Sequence, residues 1–240
     1  MIVSHKNKFI FLKPRKVAGT SFEIALSKYL ESDDIITEIS PADEQLRKKL
    51  GFKGPRNNFY SPSDFIRRRV AKEVARAVRR KTIPRKFYNH IPAIECKEKI
   101  GADIWNEYTK ISIVRNPWDV TISMYYWING KSARLEDLTI WWTRNKHLLA
   151  RNHQQYFIEN DPIVDIFLRY ENFETDIKCL EGMYPTISGL YDTLNGIRAK
   201  SGVRKPESDN LSEIYSRHPD LDSLIRVLHR YKIQTFEYSL

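Results

Sequence analysis

Cysteine is scarce in this chain, and its scarcity limits what can hold the fold together. The 240 residues include two cysteines, Cys96 and Cys179. They allow at most one disulfide, and they do not have the spacing of metal ligands. The sequence is therefore not that of a disulfide-stapled scaffold, and a reducing compartment is the simpler expectation.

Long apolar runs are missing as well. None approaches the ~18 residues that a membrane-crossing helix needs. Residues 1–6 lead directly into the apolar run 9–12, which leaves no room for a signal peptide. We therefore expect a cytoplasmic protein without a membrane span. A chain of 240 residues can bury a substantial core, so we expect one domain over residues 1–240.

Acidic residues are almost absent from one segment. Between residues 67 and 86 there are ten Lys or Arg and a single acid, Glu73, so this segment carries +9 of the formal net charge of +10. Apolar residues recur there at helical spacing, which predicts a basic amphipathic helix as an insertion at about residues 63–86. Three roles stay open: a solvated face, a surface that docks an anionic polysaccharide or a membrane, and, least favoured, nucleic-acid binding.

Glycine is sparse in the most informative segment, residues 13–21. It follows the apolar run 9–12 and precedes a helical pattern at residues 22–26. A buried strand, a turn of small and hydroxylated residues and a helix start together aim backbone N–H groups at an anion. Gly19 is the only glycine of this loop, and Lys16 precedes it, so the Walker A pattern of nucleoside triphosphatases does not fit.

A second anion-binding signal lies at residues 111–119. A β-rich run ends at Arg115, Pro117 forces a turn, and a helical pattern follows. Arg115 is thus expected at the carboxyl end of a strand, where open α/β sheets bind their ligands. Ser123 lies about two helical turns further on and can return to the same place. A surface ion pair for Arg115 and a solvent-facing Ser123 are the alternative.

The two segments, in this order, resemble the family of sulfotransferases that use 3′-phosphoadenosine 5′-phosphosulfate (PAPS), in particular its carbohydrate-type branch with the loop pattern Pro-Lys-Thr-Ala-Gly-Thr-Ser. The resemblance implies a loop that binds the 5′-phosphosulfate, formed by Arg15, Lys16, Val17, Ala18, Gly19, Thr20 and Ser21. It implies a 3′-phosphate site at Arg115 and Ser123, and more weakly a contact from Arg204. Relatives usually have His-Ile-Pro-Lys where residues 13–16 stand, so Arg15 either contacts the ligand or faces water.

The same resemblance implies the chemistry: in-line displacement of adenosine 3′,5′-bisphosphate from sulfur by an acceptor hydroxyl, without a metal. Lys16 is expected to neutralise the leaving oxygen. A neutral imidazole suits removal of the acceptor's proton, and His90, between the two cofactor segments, is the candidate base. His153 is the second candidate, and a packing or capping role is the alternative for His90. Animal members of this branch usually carry a Golgi anchor, so its absence suggests a bacterial-type enzyme or a chain trimmed to its domain.

The expected fold is α/β, a three-layer sandwich with a mostly parallel central sheet and a P-loop-like phosphosulfate loop. Strand-like runs near 9–12, 109–114 and 163–169 alternate with helical runs near 20–30, 119–128, 171–181 and 219–231. The expected partner is a saccharide or another hydroxyl acceptor, and the sequence leaves open whether it is anionic. A nucleotide-dependent phosphotransferase and a non-catalytic polyanion-binding protein are the rival functions.

Overall fold

The structure, a computed structural model, describes residues 1–61, 64, 74–75, 78–79, 84–197 and 210–240. In these ranges seven strands are present: β1 (Ile2–Ser4), β2 (Phe9–Leu12), β3 (Ile35–Ile36), β4 (Thr109–Val114), β5 (Phe157–Ile158), β6 (Asp161–Pro162) and β7 (Ile166–Arg169). The α-helices of the same ranges are α1 (Gly19–Leu26), α2 (Pro41–Lys49), α3 (Ala93–Ile100), α4 (Ala102–Glu107), α5 (Pro117–Asn129), α6 (Leu138–Arg144), α7 (His153–Tyr156), α8 (Phe173–Met183), α9 (Leu190–Asn195), α10 (Leu211–Ser216), α11 (Pro219–Leu228) and α12 (Arg230–Phe236).

Five of these strands form the central sheet, in the order β3-β1-β2-β4-β7. β2 is parallel to β4, and β4 is parallel to β7. β1 is antiparallel to both of its neighbours, β2 and β3. Four strands therefore share one direction and β1 alone opposes them, which confirms the predicted α/β class with a mostly parallel sheet. The carboxyl ends of β2, β4 and β7 consequently lie side by side at one edge.

Both faces of the sheet are covered, which explains why β2 is apolar at every position. Phe9 and Phe11 pack on one side with residues of α1, α8 and α9. Ile10 and Leu12 pack on the other side with residues of α3 and α4. Successive side chains of a strand point to opposite faces, so an unbroken apolar run is what a strand packed on both faces requires.

The first turn of α5 explains the Asn-Pro sequence after β4. The Asn116 side chain accepts hydrogen bonds from the backbone N–H groups of Trp118 (3.0 Å) and Asp119 (3.4 Å). Pro117 occupies the first helical position, where its missing N–H costs nothing. The helix is thus started locally, directly after the strand, and this fixes the direction in which the chain leaves Arg115.

Several predicted boundaries differ from those observed. The run at 163–169 forms a strand only over Ile166–Arg169, and residues 163–165 connect this strand to a separate hairpin of β5 and β6 that ends at Pro162. The helix expected at 20–30 ends at Leu26. The helix expected at 219–231 is two helices, because His229 leaves the helical conformation, with φ −115° and ψ 20°.

Most of the predicted basic helix at 63–86 lies outside the described residues. At its described end, Lys86 forms an ion pair with Asp64 (2.9 Å) and Arg85 forms one with Glu38. Within the described ranges, no helix is both long enough and apolar enough to cross a membrane.

Candidate functional site

The loop after β2 has the backbone shape of an anion cradle. Lys16 and Ala18 adopt left-handed conformations, with φ of 62° and 59°, and α1 begins at the next residue, Gly19. The first N–H groups of a helix have no acceptor within the helix, and Ala18 has no side-chain oxygen to cap them. The amides of Gly19, Thr20 and Ser21 are therefore the natural donors to an anion at this helix start.

A buried ion pair connects the start of the loop to α1. The Lys13 ammonium lies 2.6 Å from Oε2 of Glu23 on α1, and both side chains are almost fully buried. A Cβ atom added to Gly19 would lie 3.0 Å from Cγ of Lys13, so a larger residue would push against this lysine. Glycine avoids this close contact with the Lys13 stem.

Burial by itself raises the pKa of the Glu23 carboxyl, but Lys13 and the amino group of Met1 outweigh burial and hold this pKa below its usual range. Glu23→Ala should therefore lower the free energy of unfolding at neutral pH by about 3–5 kcal/mol, because it removes the carboxylate that neutralises the buried Lys13 charge. Urea unfolding measures this change. Because the pKa is depressed in the folded state, the pair stabilises the fold at neutral pH and loses this effect as the pH falls towards that pKa.

The matched control is Glu174→Ala, which removes a pair of the same length, 2.6 Å to Lys178, on the solvent-exposed face of α8. That variant should leave the unfolding curve almost unchanged. Equal effects of the two substitutions would mean that burial of the Lys13–Glu23 pair is unimportant.

Arg115 joins the second predicted segment to this loop. Its Nη1 donates to the carbonyl oxygen of Lys16 (3.0 Å), and its Nε donates to Asp119 (2.6 Å). The guanidinium lies 4.1 Å from the centre of the Tyr170 ring. Three contacts thus hold a side chain of a type that binds phosphate by forked hydrogen bonds. Ser123, two turns along α5, lines the same cleft.

This cleft has a volume of about 600 Å³, and the charged residues that line it in the described ranges are of one sign. Five cationic residues line it: Lys13, Arg15, Lys16, Arg115 and Arg151. Within the described part of the chain, its lining includes no Asp or Glu. A concave surface of this composition attracts polyanions and concentrates them at the loop.

His90 lies in the same cleft, with an arrangement that defines its tautomer. Its Nδ1 lies 3.0 Å from the carbonyl oxygen of Lys13, which can only accept, so Nδ1 carries the proton. Nε2 of the neutral ring is then an acceptor. Burial, together with the charges of Lys13 and Arg15, lowers the pKa of His90 to about 3. The ring is therefore neutral at physiological pH, its Nε2 accepts hydrogen bonds, and its basicity in the protein without ligand is low.

The other predicted site residues lie in different environments. The Val17 side chain packs in the core and does not line the cleft, so this residue has only its backbone to offer a ligand. Arg204 lies outside the described residues. His153 is exposed, stacks on Phe157 at 4.3 Å between ring centres, and is not among the residues that line the cleft.

The structure adds residues that the sequence did not single out. Tyr170 directly follows β7, and the rule that ligands lie at strand ends would have found it. Arg151 belongs to a 3₁₀ segment (Lys146–Asn152) without a periodic pattern, and no local signal points to it. The next residue, Asn152, accepts from the Arg15 N–H (2.8 Å) and donates to the Arg15 carbonyl (2.9 Å). These two bonds bring residue 151 to the loop.

The described residues contain no cluster of three or more His, Cys, Asp or Glu side chains that could hold a metal ion. Comparison of the chain with protein-family models, with curated proteins and with solved structures finds no match.

Proposed function

We propose that this protein is a PAPS-dependent sulfotransferase that transfers a sulfuryl group to a hydroxyl of a saccharide or glycoconjugate. The observation that carries the proposal is the contact between the two anion-recognising segments. Arg115 donates to the Lys16 carbonyl at 3.0 Å, although 99 residues separate them. Two phosphate-binding elements in one cleft suit a ligand with two separate anionic groups.

The residues of the cleft fit the donor. Its 5′-phosphosulfate needs backbone amides, hydroxyls and a cation, which Gly19, Thr20, Ser21 and Lys16 provide at the start of α1. Its 3′-phosphate needs a forked cation, and Arg115 is held for this role with Ser123 in the same cleft. Within the described ranges the charged residues that line the cleft are cationic, and the Asp119 carboxylate beside it is paired with Arg115.

The donor, when bound, supplies a sulfuryl group whose bond to the bridging phosphate oxygen breaks as the acceptor oxygen bonds to sulfur. Lys16 stabilises the negative charge that grows on the leaving oxygen. Nε2 of His90 takes the proton of the acceptor hydroxyl, and Nδ1 keeps its hydrogen bond to the Lys13 carbonyl, which holds the ring in place. Gly19, Thr20 and Ser21 hold the phosphosulfate so that attack and departure are in line.

The proposal also includes a three-layer sandwich, a P-loop-like loop and a cytoplasmic location. Helices pack on both faces of β2, which supports a three-layer sandwich. The left-handed residues before α1 support a P-loop-like role for the loop. Cys96 and Cys179 are both free thiols, which supports a cytoplasmic location.

Thermal-shift titration of the intact chain tests the proposal. Adenosine 3′,5′-bisphosphate should raise the melting temperature with or without magnesium, because a ligand that binds only the folded state stabilises it, and the stabilisation grows with the ratio of ligand concentration to Kd. Stabilisation by ATP only with magnesium would instead identify a phosphotransferase. Stabilisation by heparin alone would identify a polyanion-binding protein.

Arg115→Ala should weaken binding of adenosine 3′,5′-bisphosphate by about tenfold to a hundredfold, as expected for the loss of a charge-assisted hydrogen-bonded contact. Binding of adenosine 5′-monophosphate, which lacks the 3′-phosphate, should change little. Isothermal titration calorimetry with the two nucleotides measures both. The double variant Arg115→Ala with Asp119→Asn removes the carboxylate left behind next to the site, and it should show the same loss of discrimination.

The matched control is Arg226→Ala. Arg226 also pairs with an aspartate four residues away, Asp222, and lies over an aromatic ring, that of Trp118, but it is not among the residues that line the cleft. This variant should bind both nucleotides like the wild type. If Arg115→Ala still prefers the 3′-phosphorylated nucleotide as strongly as the wild type does, Arg115 does not bind the 3′-phosphate.

A further inference from the structure

A second pocket lies beside α2, and we call it the α2 pocket. It has a volume of about 560 Å³. Its lining comes from α2 and from the segments 38–39 and 51–55 that flank this helix. Among the described residues, none lines both this pocket and the cleft. A pocket of this size is large enough to bind a small molecule.

Arg47, near the end of α2, lies in the wall of the α2 pocket with part of its guanidinium group unsatisfied. Its Nη1 donates to the two carboxylate oxygens of Glu44, at 3.1 and 3.3 Å. Its Nε and Nη2 are buried and have no hydrogen-bond partner among the residues that the structure describes. The side chain is 0 % exposed, so water does not replace the missing acceptors. Buried charged donors without acceptors are unfavourable, and an acceptor bound in the pocket would relieve this cost.

The two unsatisfied nitrogens form one edge of the planar guanidinium group. The N–H of Nε and one N–H of Nη2 point in parallel along this edge. A carboxylate accepts such a pair of hydrogen bonds with its two oxygens, and the charge on both partners strengthens the bonds. The free edge of Arg47 therefore has the geometry of a carboxylate site.

The rest of the lining indicates how much charge the ligand carries. Ile39 and Phe52 contribute apolar surface from the two flanking segments. The two acids of the lining are already paired, Glu44 with Arg47 and Glu38 with an arginine outside the pocket. These carboxylates would repel a ligand with several negative charges, such as a phosphate ester. A single carboxylate on an apolar body suits both the free edge and the apolar surface.

We propose that the α2 pocket binds a small monocarboxylic acid with an apolar body, whose carboxylate accepts hydrogen bonds from Nε and Nη2 of Arg47. The apolar body packs against Ile39 and Phe52. Because water does not reach the two nitrogens in the protein without ligand, binding includes a small movement of the pocket wall. The inference goes beyond the proposed function and does not depend on it, since the site lies outside the cleft.

Three acids and their alcohols test the site in the intact protein: phenylacetate, benzoate and hexanoate, with 2-phenylethanol, benzyl alcohol and hexanol. At least one acid should bind about tenfold or more tightly than its alcohol, because the alcohol lacks the charged pair of acceptors. In isotope-labelled protein, NMR should show that this acid shifts the Nε–H resonance of Arg47 and that its alcohol does not. The loss of this resonance in Arg47→Lys identifies it.

Gly54→Leu fills part of the pocket and leaves Arg47 in place. A Cβ atom at Gly54 would meet nothing within 4 Å, so the fold has room for a larger side chain in this part of the wall. This variant should weaken binding of the acid by about tenfold or more, because the side chain occupies the space of the ligand. Gly182→Leu is the matched control. Its Cβ atom would also meet nothing within 4 Å, it is not among the residues that line the pocket, and it should bind the acid like the wild type.

Arg47→Met removes the free edge and keeps a long side chain in the same place. It should bind the acid and its alcohol with affinities within about twofold of each other, because the charged contact is lost. Arg217→Met is the control: Arg217 is exposed, pairs with Glu213 of α10, and is not among the residues that line the pocket. It should keep the preference for the acid. Circular dichroism shows whether each variant is folded, and Gly54→Leu and the Nε–H resonance test the site even if Arg47→Met does not fold.

Three results would overturn the site. The first is that no acid of the series binds, and the second is that each acid binds no more tightly than its alcohol. The third is that Gly54→Leu binds the acid as tightly as the wild type does, because the acid would then lie elsewhere, for example in the cationic cleft. Failure of the proposed function has a different signature: the wild type would not bind adenosine 3′,5′-bisphosphate, whatever its affinity for the acids.

Discussion

Lys16→Ala should lower the turnover number for sulfuryl transfer by roughly 10²–10³-fold, while the affinity for adenosine 3′,5′-bisphosphate falls far less. The Lys16 charge matters most as the leaving oxygen becomes negative, so its loss affects the transition state more than the bound ground state. Steady-state kinetics with PAPS and a saccharide acceptor give the turnover number. Calorimetry with the bisphosphate gives the affinity.

The environment of Lys16 provides a control. Its ammonium lies 4.3 Å from the centre of the Trp127 ring, on the wall of the cleft. Lys28 makes a similar contact with Tyr29, at 5.2 Å, but its side chain is exposed and is not part of the cleft lining. Lys28→Ala should leave both quantities unchanged. A folded Lys16→Ala variant with an unchanged turnover number would remove Lys16 from the mechanism.

His90→Ala should lower the turnover number by roughly 10²–10⁴-fold, the usual loss when a general base is removed. His90→Asn separates this role from a structural one. An asparagine amide can still donate to the Lys13 carbonyl in place of Nδ1, but it offers no basic nitrogen in place of Nε2. If His90 is the base, the His90→Asn variant should be as inactive as the His90→Ala variant. If the ring only supports the loop, the His90→Asn variant should keep its turnover. That result would mean that His90 is not the base.

The pH dependence gives an independent measurement. In the protein without ligand, burial and the neighbouring cations lower the pKa of His90 to about 3, so the ring is neutral well below pH 6. The kcat/KM for the donor, which reports the free protein, should therefore show no acid limb from His90 near the ordinary pKa of histidine. Bound anions stabilise the imidazolium and raise the pKa of His90. Because kcat reports the complex with bound substrates, its pH profile should show an acid limb.

His218→Ala is the matched control for both measurements. His218 is also hydrogen-bonded, with Nδ1 at 2.8 Å from Thr139, and burial also lowers its pKa, but it is not among the residues that line the cleft. Its replacement should change neither the turnover number nor the pH profile. An acid limb of kcat that persists in His90→Asn would have to come from another group.

The sequence by itself determined the elements whose signals are local. The run 9–12 is a strand with the bounds that its apolar residues predict, because a four-residue run covered on both faces has to be apolar throughout. Asn116 and Pro117 start α5 through their own side chains. The position of Arg115 was predictable for the same reason: its place at a strand end follows from the strand and the turn beside it.

Tertiary structure decided which of these elements meet. β2 and β4 pair in parallel across some hundred residues, with Leu12 opposite Ser112, and only this pairing places the Lys16 carbonyl within reach of Arg115. Long-range pairing depends on how the whole sheet is buried on both faces. A short stretch of sequence does not carry that information. The strand predicted near residue 163 begins only at Ile166, where its pairing with β4 begins opposite Ile111.

Sequence patterns also could not predict which cations of the cleft have ionic partners. The ionic partners of Lys13 and Arg115 lie on the helices that follow them, but Arg151 reaches Arg15 only through the two hydrogen bonds of Asn152, 137 residues along the chain. The tautomer of His90 depends on the Lys13 carbonyl in the same way. Residue types and local spacing predicted an anion site, whereas the neutralisation of each cation depends on distances in the folded chain, because Coulomb energies vary with separation and burial.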